Sequence, residues 1–303
     1  MSSVAEHYYQ TNQTTKQSAE SSSQATEAVA PHQQLWQSIV SALQNADIQL
    51  TDLNTDLLAP IDQLHIGGRQ ATIKLLNDAG IQSQSCGIEI GSGLGGTARL
   101  IADQFDAEIT AIDITQAFTF ACDAINQQLG YQRITSICAD ACVPQVPAKS
   151  QDFVISQHTL MNIPDKQLAL KTLADSLKDG GLLLLHEVFA GDNKEALKLP
   201  VPWASEQVHS HLPQFETLDQ LLADAGFVAV RVEDVTEHAL AWRTKHSQRE
   251  SGSADKGHTQ QKSPLNPQLI FGKRFVDMGK NLMANLADNK VRVVEAIYRL
   301  EKP

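Results

Sequence analysis

Apolar positions recur along this chain with two different spacings. Between 35 and 43, Leu35, Trp36, Ile39, Val40 and Leu43 fall on one helical face. Between 69 and 79, Ile73, Leu75 and Leu76 do the same, and Gly80 follows as a C-cap candidate. From 86 onward, short apolar runs alternate with helical segments. The runs are CGIEI (86–90), AEITAID (107–113), RITSICAD (133–140), DFVIS (152–156) and LLLLHEV (182–188). Helices are expected over 96–105, 118–129 and 165–177, with a turn at Gly180-Gly181. Strands that are apolar on both faces and separated by helices predict a parallel sheet covered on both sides. Such sheets bind ligands at the carboxyl ends of their strands, near the switch in strand order.

Beyond Val188 the periodicity loosens. Residues 191–216, with Pro200, Pro202, Pro213 and Trp203, read as a long excursion that forms a lid or pocket wall. A helix over 217–227 and a strand over 228–235 follow. Residues 244–264 read as a polar loop, 268–287 as a helix and 291–300 as a final strand. At the other end, residues 1–34 are rich in Gln, Ser, Thr and Ala, and are expected to be a disordered or lid-forming tail. The aromatic pair Tyr8-Tyr9 is its one feature suited to closing over a site. One domain is therefore expected over 35–303.

Composition narrows the partners. The formal charge is −11 and aromatics make up 5% of 303 residues, which disfavours nucleic acid and suits small molecules. No apolar run approaches the roughly 18 residues of a membrane span, and no secretory signal is visible, so a cytoplasmic protein without membrane contact is expected. Cys86, Cys122, Cys138 and Cys142 read as reduced thiols. His209 and His211 lack a third ligand nearby in sequence, so no metal is expected. Oligomeric state leaves no mark in the sequence.

The first strand runs into GIEIGSGLGG (87–96), which fits GxGxxG and GxGxG equally well. Glu89 lies two residues before the first glycine. A pyrophosphate at the following helix N-terminus would be repelled by that acid, whereas a cationic ligand would be attracted. S-adenosylmethionine, with its sulfonium and ammonium, meets that condition. Asp113 closes the second strand, where an acid accepts ribose hydroxyls, a feature that nicotinamide enzymes share. Asp140 closes the third, where a carboxylate accepts an adenine amino group while the Ala141 amide faces a ring nitrogen. Both a methyl-donor enzyme and a nicotinamide oxidoreductase remain open on the loop alone, as does a non-catalytic binding protein.

The run EIGSGLGG, AIDIT, CADA, DFVISQHTLMNI and LKDGGLLLLHEV resembles the class I S-adenosylmethionine-dependent methyltransferases over roughly residues 58–240. APIDQLHIGGRQAT (59–72) and QHTLMNIPDK (157–166) are similar to a small-molecule subgroup that includes sarcosine and dimethylglycine N-methyltransferases and relatives of phosphoethanolamine methyltransferase. The resemblance implies a three-layer α/β, Rossmann-like methyltransferase fold: a seven-stranded, mostly parallel sheet whose antiparallel last strand lies beside the sixth. It implies that Glu89, Gly91, Gly93 and Gly95 shape the methionine end of the cofactor pocket. Asp113 and Ile114 would take the ribose, Asp140 and Ala141 the adenine, and Gln157 would lie beside the methyl group. The expected reaction is in-line methyl transfer to a small acceptor, an amine favoured.

Such a displacement needs alignment and exclusion of water, and a base only for a protonated acceptor. His158, just after the fourth strand, and Glu187, at the end of the fifth, are the candidate catalytic groups. Alternation along a strand points His186 and Glu187 to opposite faces, and Glu187 is preferred for the pocket. His65, Arg69, Met161, Asn162 and Trp203 are the candidate substrate contacts. Arg69 suits a substrate carboxylate and equally suits an exposed helix start.

Overall fold

The computed structural model describes residues 30–250 and 263–301. Helix α1 (Gln34–Gln44), α2 (Thr55–Asp62) and α3 (Gly68–Asp78) precede the sheet. The alternation that follows is β1 (Cys86–Ile90), α4 (Gly96–Phe105), β2 (Glu108–Asp113), α5 (Gln116–Leu129), β3 (Ile134–Cys138), β4 (Gln151–Gln157), α6 (Lys166–Ser176) and β5 (Leu177–Ala190). The chain ends with α7 (Phe215–Asp224), β6 (Phe227–Asp234), α8 (Thr236–Glu250), α9 (Gln268–Phe271), α10 (Phe275–Ala287) and β7 (Val291–Leu300). The seven strands form one sheet in the order β3-β2-β1-β4-β5-β7-β6. Only β7 is antiparallel, inserted between β5 and β6. The expected three-layer architecture is the observed one, and the strand order reverses between β1 and β4.

Burial on both faces explains the apolar strands. Ile88, Val154, Leu183 and Leu185 pack on one side with α6 and α7. Phe153, Ile155 and Leu184 pack on the other with α3 and α4. A third cluster joins α1, α2, α5 and α9, so the first helix is built into the body of the molecule. A fourth joins Val201, Trp203 and Ala204 of the excursion to α8, α10 and the carboxyl ends of β5 and β6. Close approach is strict at Gly87, where a Cβ would lie 2.3 Å from the Phe153 ring.

Several expectations are corrected. The segment 244–264 is not a loop at its start, because α8 continues through Glu250; its first turns bury Ala239 and are held by Thr244 Oγ1 donating to Leu240 O. Residues 251–262 lie outside the described residues, as does Tyr8-Tyr9. The helix over 268–287 is broken at Gly272, whose φ of 68° turns the chain between α9 and α10. The Gly180-Gly181 turn lies inside β5 as an irregularity, with a shift of register opposite Gln151 and Phe153. Among the described residues no helix is long and apolar enough to cross a membrane.

Candidate functional site

A cavity of about 1010 Å³ opens at the carboxyl ends of β1, β2, β3 and β4, at the switch in strand order. The three glycines expected to line it stand there for different reasons. Gly91 has φ 71°, and a Cβ on it would lie 2.1 Å from Thr159 Oγ1. Gly93 has φ 53° and open space where a Cβ would be, so its backbone borders the cavity. Gly95 does not reach the wall. It begins α4 at φ 78°, and a Cβ there would meet Cys122 Sγ at 2.4 Å. Of the three glycines that the resemblance places at the methionine end, Gly95 is thus set back from the wall, against α5.

Glu89, Asp113 and Asp140 all border this one cavity. Glu89 is 6% exposed and its Oε2 has no hydrogen-bond partner among the described residues. Burial pushes its pKa up to about 8, against the opposing pull of Arg99. Asp113 Oδ2 accepts from Gly93 N at 2.9 Å and Oδ1 from Thr115 N at 2.8 Å. Burial raises its pKa despite those two donors. Asp140 is exposed and accepts from Cys142 N at 2.8 Å; Ile114 and Ala141 complete that end of the wall.

Arg99, missed in the sequence, holds the floor. It is 1% exposed and donates to Asp62 Oδ2, Asn126 Oδ1 and Leu94 O at 2.8, 2.8 and 2.6 Å. Removing one partner of so buried an ion pair costs about 3–5 kcal/mol. Thr97 was also missed, although it directly follows the glycine run. Its Oγ1 donates to Gln157 Oε1 at 3.0 Å, while Gln157 Nε2 donates to Thr72 Oγ1 at 3.1 Å, so the amide is clamped from both ends.

Beyond Gln157, β4 ends in a left-handed residue, His158, at φ 52°. Its ring borders the cavity and stacks on His186 at 5.4 Å, and His65 lies 6.3 Å from it. Burial, then the neighbouring rings of His186 and His65, hold the His158 pKa well below the usual histidine range. Burial and His186 lower His65 to about 3, and its Nε2 contacts Gly68 O and Thr72 Oγ1 at 3.0 Å each. His158 and His65 are therefore uncharged near neutrality. Among the described residues no group of His, Cys, Asp and Glu is arranged to hold a metal ion.

Glu187 does not border the cavity, which corrects its expected position. It is fully buried and accepts from Ser156 Oγ at 2.7 Å and from the amides of Thr159 and Leu160 at 3.0 and 3.2 Å. Burial lifts its pKa to about 7 against those donors. It thereby holds the turn that carries His158. His186 does not border the cavity either, since its Nδ1 faces Glu295 Oε1 at 3.3 Å. Alternation did separate the two side chains, but in a strand buried on both sides neither face is the cavity.

Met161, Asn162, Trp203 and His65 are brought together on the wall. Trp203 Nε1 donates to Ser210 Oγ at 2.9 Å, and the His211 amide donates to Met161 O at 2.9 Å. Lys166 Nζ donates to both Ile163 O and His211 O, strapping the excursion to the β4 turn. Arg69 is elsewhere, paired with Asp56 at 2.7 Å and not on the wall. Ile270 and Phe271 of α9 join the wall from far along the chain, a placement that no local pattern signals.

With this geometry in hand, comparison with known proteins is decisive for the family. Residues 66–232 match the methyltransferase domain model. The chain belongs to that family. A phosphoethanolamine N-methyltransferase of Arabidopsis thaliana is 26% identical over 179 residues, 57% of this chain and 35% of its own length. A sarcosine/dimethylglycine N-methyltransferase of Halorhodospira halochloris is 24% identical over 155 residues, covering 49% of this chain and 53% of its own. The chain thus spans about a third to a half of the length of these curated relatives. Among solved structures, phosphoethanolamine N-methyltransferase 2 of Haemonchus contortus superposes with a TM-score of 0.66 at 18% identity, covering 86% of this chain and 60% of that one, which supports the shared methyltransferase fold.

Proposed function

We propose that this chain transfers a methyl group from S-adenosylmethionine to a small-molecule acceptor, an amine favoured. The observation that carries the reading is the convergence of Glu89, Asp113 and Asp140 on one cavity beside Gly93. The residues fit the donor. Glu89 keeps a buried oxygen without a partner, where an ammonium would find one. Gly93 leaves the space that a side chain would fill. Asp113 keeps lone pairs for ribose hydroxyls, with Ile114 against the sugar, and Asp140 with Ala141 receives the adenine edge. When bound, the donor supplies an electrophilic methyl on a sulfonium, open to in-line attack by an acceptor lone pair.

The chain's own contribution is alignment and dryness. Gln157, clamped by Thr97 and Thr72, marks the boundary between donor and acceptor. His158 and Asn162 line the cavity, and each holds a buried polar atom without a partner among the described residues, His158 Nε2 and Asn162 Oδ1, that suits an N–H. Uncharged His158 and His65 add no positive charge beside a cationic product. Glu187 acts as a positioning residue through the Thr159 and Leu160 amides. Met161 and Trp203 exclude water, while Arg69, paired at the surface, takes no part. A nicotinamide ligand draws no support from the family to which residues 66–232 belong. A cytoplasmic location accords with the four free cysteines.

Calorimetry tests the reading. S-adenosylhomocysteine is expected to bind at micromolar Kd and NADH not at all; binding of NADH alone would overturn it. Because an arriving ammonium stabilises ionised Glu89, binding near pH 7 is also expected to release protons. The observed enthalpy will then depend on the ionisation enthalpy of the buffer, and Glu89→Gln will abolish that dependence. Incorporation of labelled methyl into amines separates an enzyme from a protein that only binds the donor.

A further inference from the structure

We infer that the acceptor end of this cavity takes an amine on an apolar body that carries neither phosphate nor carboxylate. The inference rests on the proposed methyl transfer and names its substrate class. Five carboxyl side chains border the cavity: Asp62, Glu89, Asp113, Asp140 and Asp165. No Lys or Arg borders it among the described residues. Two cations touch its wall from behind, and both are committed. Arg99 is spent on Asp62, Asn126 and Leu94 O. Lys166 is spent on the carbonyls of Ile163 and His211.

Three of the wall's four histidines do not substitute for a cation. His65, His158 and His211 are all shifted toward the neutral form, first by burial. An anionic group entering here would lose water and, among the described residues, gain no Lys or Arg in exchange. An amine meets the reverse situation. Two residues of the wall, Asn162 and His158, each hold a buried polar atom, Oδ1 and Nε2, without a partner among the described residues. Most of the wall's surface is apolar, and Leu64, Met161, Ile163, Pro202 and Trp203 belong to it. The complement of that surface is an N–H on a hydrocarbon or aromatic frame. The relatives compared above are named for phosphoethanolamine and for sarcosine and dimethylglycine, whose molecules carry a phosphate or a carboxylate. Among the described residues, this cavity offers such a group no Lys or Arg.

The test uses the full chain, first loaded with S-adenosylhomocysteine and titrated with four amines. Two are apolar, N-methylbenzylamine and N-methyl-2-phenylethylamine; two are anionic, phosphoethanolamine and sarcosine. At least one apolar amine is expected to bind the loaded protein at least a hundredfold more tightly than either anionic one. With labelled donor, the same order is expected in kcat/KM. Preference for phosphoethanolamine or sarcosine overturns the inference, and so does failure of both apolar amines to bind the loaded protein. Failure of S-adenosylhomocysteine itself to bind is a different result, which overturns the methyl-transfer reading beneath it.

Discussion

A carboxyl group that is 6% exposed, with one oxygen unpartnered, is costly unless a ligand repays it. Glu89 is such a group, and its pKa near 8 sets the sign of a pH effect. The folded state binds its proton more tightly than the unfolded chain does. The resulting stability is complete below the unfolded pKa of about 4.5 and is lost as pH rises through 8. Glu187, raised to about 7, acts in the same direction. Denaturant unfolding at pH 5 and pH 8 should therefore show wild type losing more stability than Glu89→Gln, by at least about 1 kcal/mol. Equal losses would show that Glu89 does not titrate there. Asp113 has a double duty, since the oxygens offered to a ribose also hold the amides of Gly93 and Thr115. Asp113→Ala is expected to weaken S-adenosylhomocysteine binding by at least about 1.5–3 kcal/mol, because the loop loses its anchor along with the ligand contact. Unchanged affinity in calorimetry would remove the ribose assignment.

Elements explain why glycines two residues apart should respond differently. Between β1 and α4, Gly91 is wedged against Thr159, which itself donates to Ile90 O at 3.1 Å. Gly91→Ala meets that hydroxyl and a positive φ together, and is expected to cost about 2–4 kcal/mol in denaturant unfolding. Gly93→Ala meets only the φ penalty, about 1–2 kcal/mol, but its methyl projects into the cavity. It should therefore lose S-adenosylhomocysteine affinity at least tenfold in a protein that still folds. The excursion between β5 and α7 has the opposite character. Its sequence promised only a wall, and two backbone contacts from Lys166 and one from the His211 amide fix where that wall stands. The polar composition after Arg243 predicts a loop. Helix α8 nevertheless continues through Glu250, since its earlier turns are anchored against the cluster that includes Trp203.

At the scale of the molecule, the central sheet is the frame, and β5 joins its parallel part to the antiparallel strand, pairing with β4 on one side and β7 on the other. Leu184 is fully buried there. Leu184→Ala is expected to lower unfolding free energy by about 2–5 kcal/mol, as read from denaturant midpoints. A loss below 1 kcal/mol would mean that the layer over that face closes on the gap.

What the sequence determined by itself was local and periodic. Apolar runs of strand length separated by helices specified the parallel sheet. A glycine run after the first strand and acids at three successive strand ends specified where a ligand lies, because parallel strands bring their carboxyl ends to one edge. Tertiary structure alone decided which side chains face that edge. Glu187 and His186 were indistinguishable from wall residues until both faces of β5 were seen to be covered. Gly95 was indistinguishable from a loop glycine until Cys122 was seen against it. Trp203 and Phe271 reach the cavity from more than 100 positions beyond the glycine run. Their arrival, and the commitment of Arg99 and Lys166 to partners elsewhere, depend on contacts between elements distant in sequence, which no local spacing encodes.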